Sequence, residues 1–83
     1  MSLRHFIIPL TVEGEHTRAT LVMDEDGQHG TISLEGQHVC SFELETAGTV
    51  HNYFVAEQIA RHHIEDIFGT DTEPVETGFT LPT

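Results

Sequence analysis

Seven histidines, fourteen acidic residues and one cysteine are the side chains of this chain that could bind a metal, relay a proton or act as a nucleophile. Their spacing narrows those options. His62 and His63 are adjacent, so on a helix they point about 100° apart and do not easily share an ion. His62 and Asp66 stand one helical turn apart and form a candidate pair of metal ligands that needs a third from elsewhere. His63 falls on the apolar side of the same stretch and reads as a core histidine. His5, His16, His29, His38 and His51 are scattered over strands and loops, and no Cys-x-x-Cys or His-Glu-x-x-His spacing occurs. Cys40 alternates with inward-facing apolar residues and has few cations available to activate it, so it reads as a small buried hydrophobe. There is no Gly-rich phosphate loop and no serine elbow. The expectation is a non-enzymatic protein without a cofactor.

Asp24-Glu25-Asp26-Gly27 has the composition of a calcium loop but not its spacing. With Gly27 at the sixth position of an EF-hand loop, Val22 and Ser33 occupy the first and twelfth, where carboxylates are needed. The segment reads instead as a polar hairpin loop between strands.

The acids have a distribution that points outward. The chain has no lysine, and its net charge is −11. Residues 1–23 balance Arg4 and Arg18 against Glu13 and Glu15, whereas residues 24–83 hold twelve acids and only Arg61. Such a surface repels bare nucleic acid and anionic membranes, which are bound through Lys and Arg. It attracts a basic partner. Glu43 and Glu45 lie ~6.6 Å apart along one strand face, and Glu57 and Glu65 ~12 Å apart along a helix. Carboxylates spaced in this way on a rigid scaffold imitate a phosphate backbone. Full protonation of the seven histidines would take −11 to about −4, which leaves a pH-sensitive interface open.

These groups need elements to position them. Residues 3–12 read as a strand with Phe6, Ile8, Leu10 and Val12 on one face. Pro9 lacks a ladder donor, which predicts an edge strand or a bulge. A two-residue turn at Glu13-Gly14 sets Leu10 opposite Thr17, Ile8 opposite Ala19 and Phe6 opposite Leu21. The second strand runs from Glu15 to Met23, with His16, Arg18, Thr20 and Val22 outward. A third, Thr31–Glu35, turns Ile32 and Leu34 inward, and a fourth, His38–Glu45, turns Cys40, Phe42 and Leu44 inward. A three-residue loop between them sets Ile32 opposite Cys40; a two-residue loop brings Val39 inward instead. A helix follows to Phe68, capped by Thr49 or Asn52 and stopped by Gly69. Its apolar stripe comprises Tyr53, Val55, Ala56, Ile59, Ala60, His63, Ile64 and Ile67.

The expected fold is α+β: a four-stranded antiparallel meander packed on one C-terminal helix (ββββα). Residues 1–69 form a single domain, and residues 70–83 a polar tail or a short extra strand through Phe79 and Leu81. Eighty-three residues bury roughly 60–65% of the unfolded surface, enough for one core. A lone cysteine, no leader-like opening and no apolar run of ~20 residues predict a cytoplasmic protein.

Two local rules are broken. Glu65 and Asp66 occupy the last helical turn, where negative charge opposes the macrodipole. Phe54 and Phe68 project to the polar side. Together these features predict a small acidic binding protein that engages the basic surface of a nucleic-acid-binding partner through Glu43, Glu45, Phe54, Glu57, Arg61, Glu65, Asp66 and Phe68. A phage- or mobile-element-encoded inhibitor of a nuclease or CRISPR-type complex has this profile, as does an antitoxin. The alternatives are a metal-binding protein using His62 and Asp66, and a homo-oligomer pairing its edge strands under a salt-adapted acidic surface.

Overall fold

The structure, a computed structural model, describes residues 4–75. Strands β1 (Arg4–Val12), β2 (Glu15–Met23), β3 (His29–Leu34) and β4 (Gln37–Glu43) form the antiparallel meander, followed by helix α1 (Tyr53–Phe68) and a short strand β5 (Thr72–Pro74). The sheet order is β4-β3-β2-β1-β5, so the chain crosses the sheet through α1 and returns beside β1. The α+β, ββββα arrangement is therefore present, and a fifth strand completes it. That strand forms at Thr72–Pro74; the Phe79 and Leu81 alternation that suggested it lies outside the described residues.

The β1–β2 register pairs Leu10 with Thr17, Ile8 with Ala19 and Phe6 with Leu21. Glu13 and Gly14 both have positive φ (52° and 83°), the geometry that a two-residue hairpin turn requires to match strand twist. Glu35 and Gly36 repeat it (48° and 83°), so the β3–β4 turn is also two residues long, pairing Leu34 with Gln37. That would expose Cys40 and Phe42, but a β-bulge corrects the phase. The register shifts between Ile32 and Ser33, Val39 becomes the extra residue, and Ile32 pairs with Cys40. Val39 and Cys40 thus both pack against the core.

Pro9 does not make β1 an edge strand along its whole length, because β5 pairs with Leu10–Val12. The Pro9 carbonyl accepts from the Val75 N–H (3.2 Å), so its donorless nitrogen also faces the β5 side, just where β5 ends.

Asn52 caps α1, its side chain accepting from the Val55 N–H (3.0 Å), and Gly69 closes it in the left-handed conformation. The face that is fully buried is narrower than the periodicity suggests: Ala56, Ala60 and Ile64. Two alanines let the helix lie close to the sheet, and Tyr53 and Ile67, expected on the buried stripe, stay exposed at its flanks. Beneath it lie Ile8, Leu10, Ala19, Leu21, Met23, Ile32 and Phe42. The helix covers one face of the sheet only.

Candidate functional site

The 24–28 loop is folded by its own acids. One Asp26 carboxylate oxygen accepts from the Gln28 and His29 N–H groups (2.8 and 3.0 Å), and the other meets His29 Nδ1 at 2.5 Å. Asp24 contributes its carbonyl to the Gly27 N–H and its carboxylate to the Glu25 N–H. This is a polar hairpin loop, with Asp26 spent on the turn. The two backbone donors and the imidazole hold the Asp26 carboxyl down at about 2, and Asp26 in turn raises the pKa of His29. The other ring nitrogen, Nε2, lies 3.5 Å from a Glu43 carboxylate oxygen, across the β3–β4 pair. His29 is thus flanked by two carboxylates and links the loop to the end of β4.

Beside it, Gln28, Glu43, Leu44 and Glu45 line an open depression of about 240 Å³. The Leu44 N–H donates to the Gln28 carbonyl (2.7 Å), which holds the chain after β4 against this loop. Glu43 and Glu45 are both exposed, so this end of the sheet gathers Asp24, Glu25, Asp26, Glu43 and Glu45.

Along α1, Phe54 is 71% exposed and meets Tyr53 edge-on, with ring centroids 6.3 Å apart. Phe68 and Ile67 are each 48% exposed at the other end. Glu57 lies between these ends, and Asp66 is exposed in the last turn. The two phenylalanines do project outward, as their helical positions predict.

Glu65 is engaged within the fold. Its carboxylate accepts from the Thr72 N–H (3.0 Å) and hydroxyl (2.8 Å). Arg61 closes the arrangement, with Nε donating to the Thr72 hydroxyl (3.1 Å) and Nη2 to the Thr72 carbonyl (2.8 Å). Thr72 is 2% exposed, and its bonds to Glu65, first the backbone and then the hydroxyl, pull the Glu65 pKa down. Negative charge in the last turn is therefore explained at Glu65 by the docking of β5. At Asp66 it has no such partner among the described residues.

Of the residues singled out by sequence, the structure places Glu43 and Glu45 together at one end of the sheet. Phe54 and Glu57 lie on the first half of α1, and Asp66 and Phe68 at its end. Arg61 and Glu65 are turned to Thr72. His63 stacks on Phe42 (5.2 Å between centroids, 19° between planes) and serves as a wall of the core. Its pKa is lowered, by burial first and by His62 second, against an opposing pull from Asp66. Among the described residues no group of three His, Cys, Asp or Glu side chains is arranged to hold a metal, so His62 and Asp66 gain no third ligand. Burial raises the Cys40 thiol pKa, which keeps it protonated and unreactive. No helix among the described residues is long and apolar enough to cross a membrane.

Sequence reasoning missed the Asp26–His29–Glu43 row and the Thr72 clamp. The first had a signal: His29 is three residues after Asp26, at the start of a strand. The second depends on a crossover that periodicity does not describe. No family model matches the chain, and neither curated proteins nor solved structures give a significant match.

Proposed function

We propose that this chain is a small acidic binding protein that engages the basic surface of a protein partner, one that ordinarily holds DNA or RNA. The observation that carries this is Phe54, a phenylalanine left 71% exposed on a helix that also presents Glu57 and Asp66. An exposed aromatic ring among carboxylates has the make-up of an interface anchor inside a charged rim. Glu43, Glu45, Glu57 and Asp66 are the carboxylates available for the rim; Glu65 and Arg61 support the surface from beneath by fixing β5. A phage- or mobile-element-encoded inhibitor acting as a nucleic-acid mimic is the sharpest form of this proposal, and an antitoxin a close second.

The test uses the tagged full chain as bait in extract of its host, beside a variant with Glu43, Glu45, Glu57 and Asp66 changed to Lys and a Phe54→Ala variant. A basic protein retained by the parent chain is then purified for kinetics. The fourfold variant should slow association at least tenfold, rising salt should slow the parent likewise, and Phe54→Ala should speed dissociation. A short DNA duplex should compete. Binding that ignores both salt and the charge change would overturn the proposal.

A further inference from the structure

The sheet face turned away from α1 is nearly free of acid in a protein of charge −11. Alternation along the strands sets Ile8, Leu10, Ala19, Leu21, Met23 and Ile32 into the core, so their neighbours face the other way. Within the strands, acids occur only at the first residue of β2, the last of β4 and in β5. The centre of the open face holds Ile7, Pro9, Val22, Thr20 and Thr31, with Arg18 beside Pro9. Ile7 is 53% exposed and pairs with Thr20 across the ladder. Four of the seven histidines stand around this centre: His5, His16, His29 and His38, each at or next to the start of its strand.

We infer that a second copy of this chain covers this face, sheet against sheet, to give a two-fold dimer. Charge selects the occupant. Two copies of −11 repel wherever their loops or helices approach, and the open face is the surface they can bring together with the fewest carboxylates, Glu43 and Glu73 being confined to its two edge strands. Its size is adequate. The strands are nine, nine, six, seven and three residues long and together cover on the order of 550 Å², so a pair buries about 1,100 Å², just above the ~1,000 Å² that a specific interface should clear. The molecule is a slab 34 × 33 × 21 Å, and stacking two slabs on their sheets gives the aligned sandwich that twisted sheets favour. Such a dimer turns both helices outward and leaves Phe54, Glu57 and Asp66 free for a basic partner, with Glu43 at the rim of the dimer contact.

Sedimentation velocity of the full chain across micromolar to millimolar concentration tests this. The parent should sediment as a dimer at the upper end. Ile7→Arg and, separately, Thr31→Arg should raise its dissociation constant at least tenfold, while Phe54→Ser should leave it unchanged. Circular dichroism checks that each variant folds; should an arginine prevent folding, Ile7→Gln at the exposed position carries the same comparison. A parent that stays monomeric throughout overturns the inference. So does a dimer that persists in the face variants, which would point to edge-strand pairing, or one lost with Phe54→Ser.

Discussion

Gly30 lies directly beneath the ring of Phe42, its partner across the β3–β4 ladder. A Cβ at Gly30 would stand 2.8 Å from Phe42 Cε2 and 2.9 Å from Met23 Sδ, closer than such atoms approach. The ring cannot lift away freely, because His63 of α1 is stacked on it. Glycine is needed here for space, not for an unusual backbone angle. Gly30→Ala should therefore destabilise the fold by about 1–3 kcal/mol. Phe42→Leu, which removes the clashing atoms, should make the same glycine change much less costly. Urea denaturation of the two single variants and the double variant measures that coupling; additive losses would show that the ring does not set the requirement.

Thr72 ties the last described strand to the helix. Its hydroxyl donates to Glu65 and accepts from Arg61, and it is almost wholly buried. Thr72→Val keeps the shape and removes both bonds, at a cost of about 1–2 kcal/mol. The loss should be local. Hydrogen exchange at the Thr72 and Val75 amides should accelerate, while core amides of β2 such as Leu21 follow only the smaller global change. Equal acceleration everywhere would mean that β5 is integral to the cooperative unit rather than clamped onto it.

The fold should move two histidines in opposite directions. His29 is raised above 6.5 by its hydrogen bond to Asp26 and by the charges of Asp26, Glu43 and Asp24. Its contribution to stability is complete below 6.5 and is lost as pH rises through its folded value. His63 is lowered by burial and by His62. Its contribution is complete above 6.5 and is lost as pH falls from there towards its folded value. Asp26, held at about 2, stabilises fully above the ordinary 3.8 and fails only as pH drops towards 2. Imidazole proton shifts followed by NMR should show His29 titrating above the ordinary value and His63 below it. His29→Gln should remove the decline in melting temperature on the alkaline side, and His63→Phe the decline just below pH 6.5.

Much of this arrangement is legible in the chain because side-chain period and turn chemistry agree. The β1–β2 register follows from the two-residue turn at Glu13-Gly14, with which the apolar alternation agrees. Asn52 and Gly69 mark the helix ends by their intrinsic preferences. The β3–β4 pair shows where local rules stop. Glu35-Gly36 demands a two-residue turn, whereas Ile32 and Phe42 demand the phase of a three-residue one, and only a bulge at Val39 reconciles them. Packing decides that, since the energy of burying Phe42 over Gly30 appears in no local propensity. The functional residues divide similarly. Phe54 and Phe68 are recognisable because a helical wheel places them outward. The contact of Glu65 with Thr72 is not legible in this way: a wheel describes one helix, and Thr72 reaches Glu65 only after the chain has turned at Gly69.

Asp66 separates stability from binding. It faces solvent in the last turn of α1, where the helix C-terminus carries partial negative charge, and the last turn holds no basic residue. Among the described residues it has no hydrogen-bond partner, unlike its neighbour Glu65. Asp66→Lys should therefore stabilise the helix end by about 0.3–1 kcal/mol, with a small further drop in the His63 pKa as a favourable carboxylate is replaced by a cation. If the acidic surface is kept for a partner, the same substitution should slow association with the basic protein while raising the melting temperature. Glu65→Gln should do the reverse, loosening β5 and lowering the melting temperature with little change in the association rate. Thermal melts and stopped-flow association of the two variants, measured side by side, give four outcomes that the two roles assign in opposite senses. Should Asp66→Lys leave association untouched, negative charge at this position would have no part in recognition.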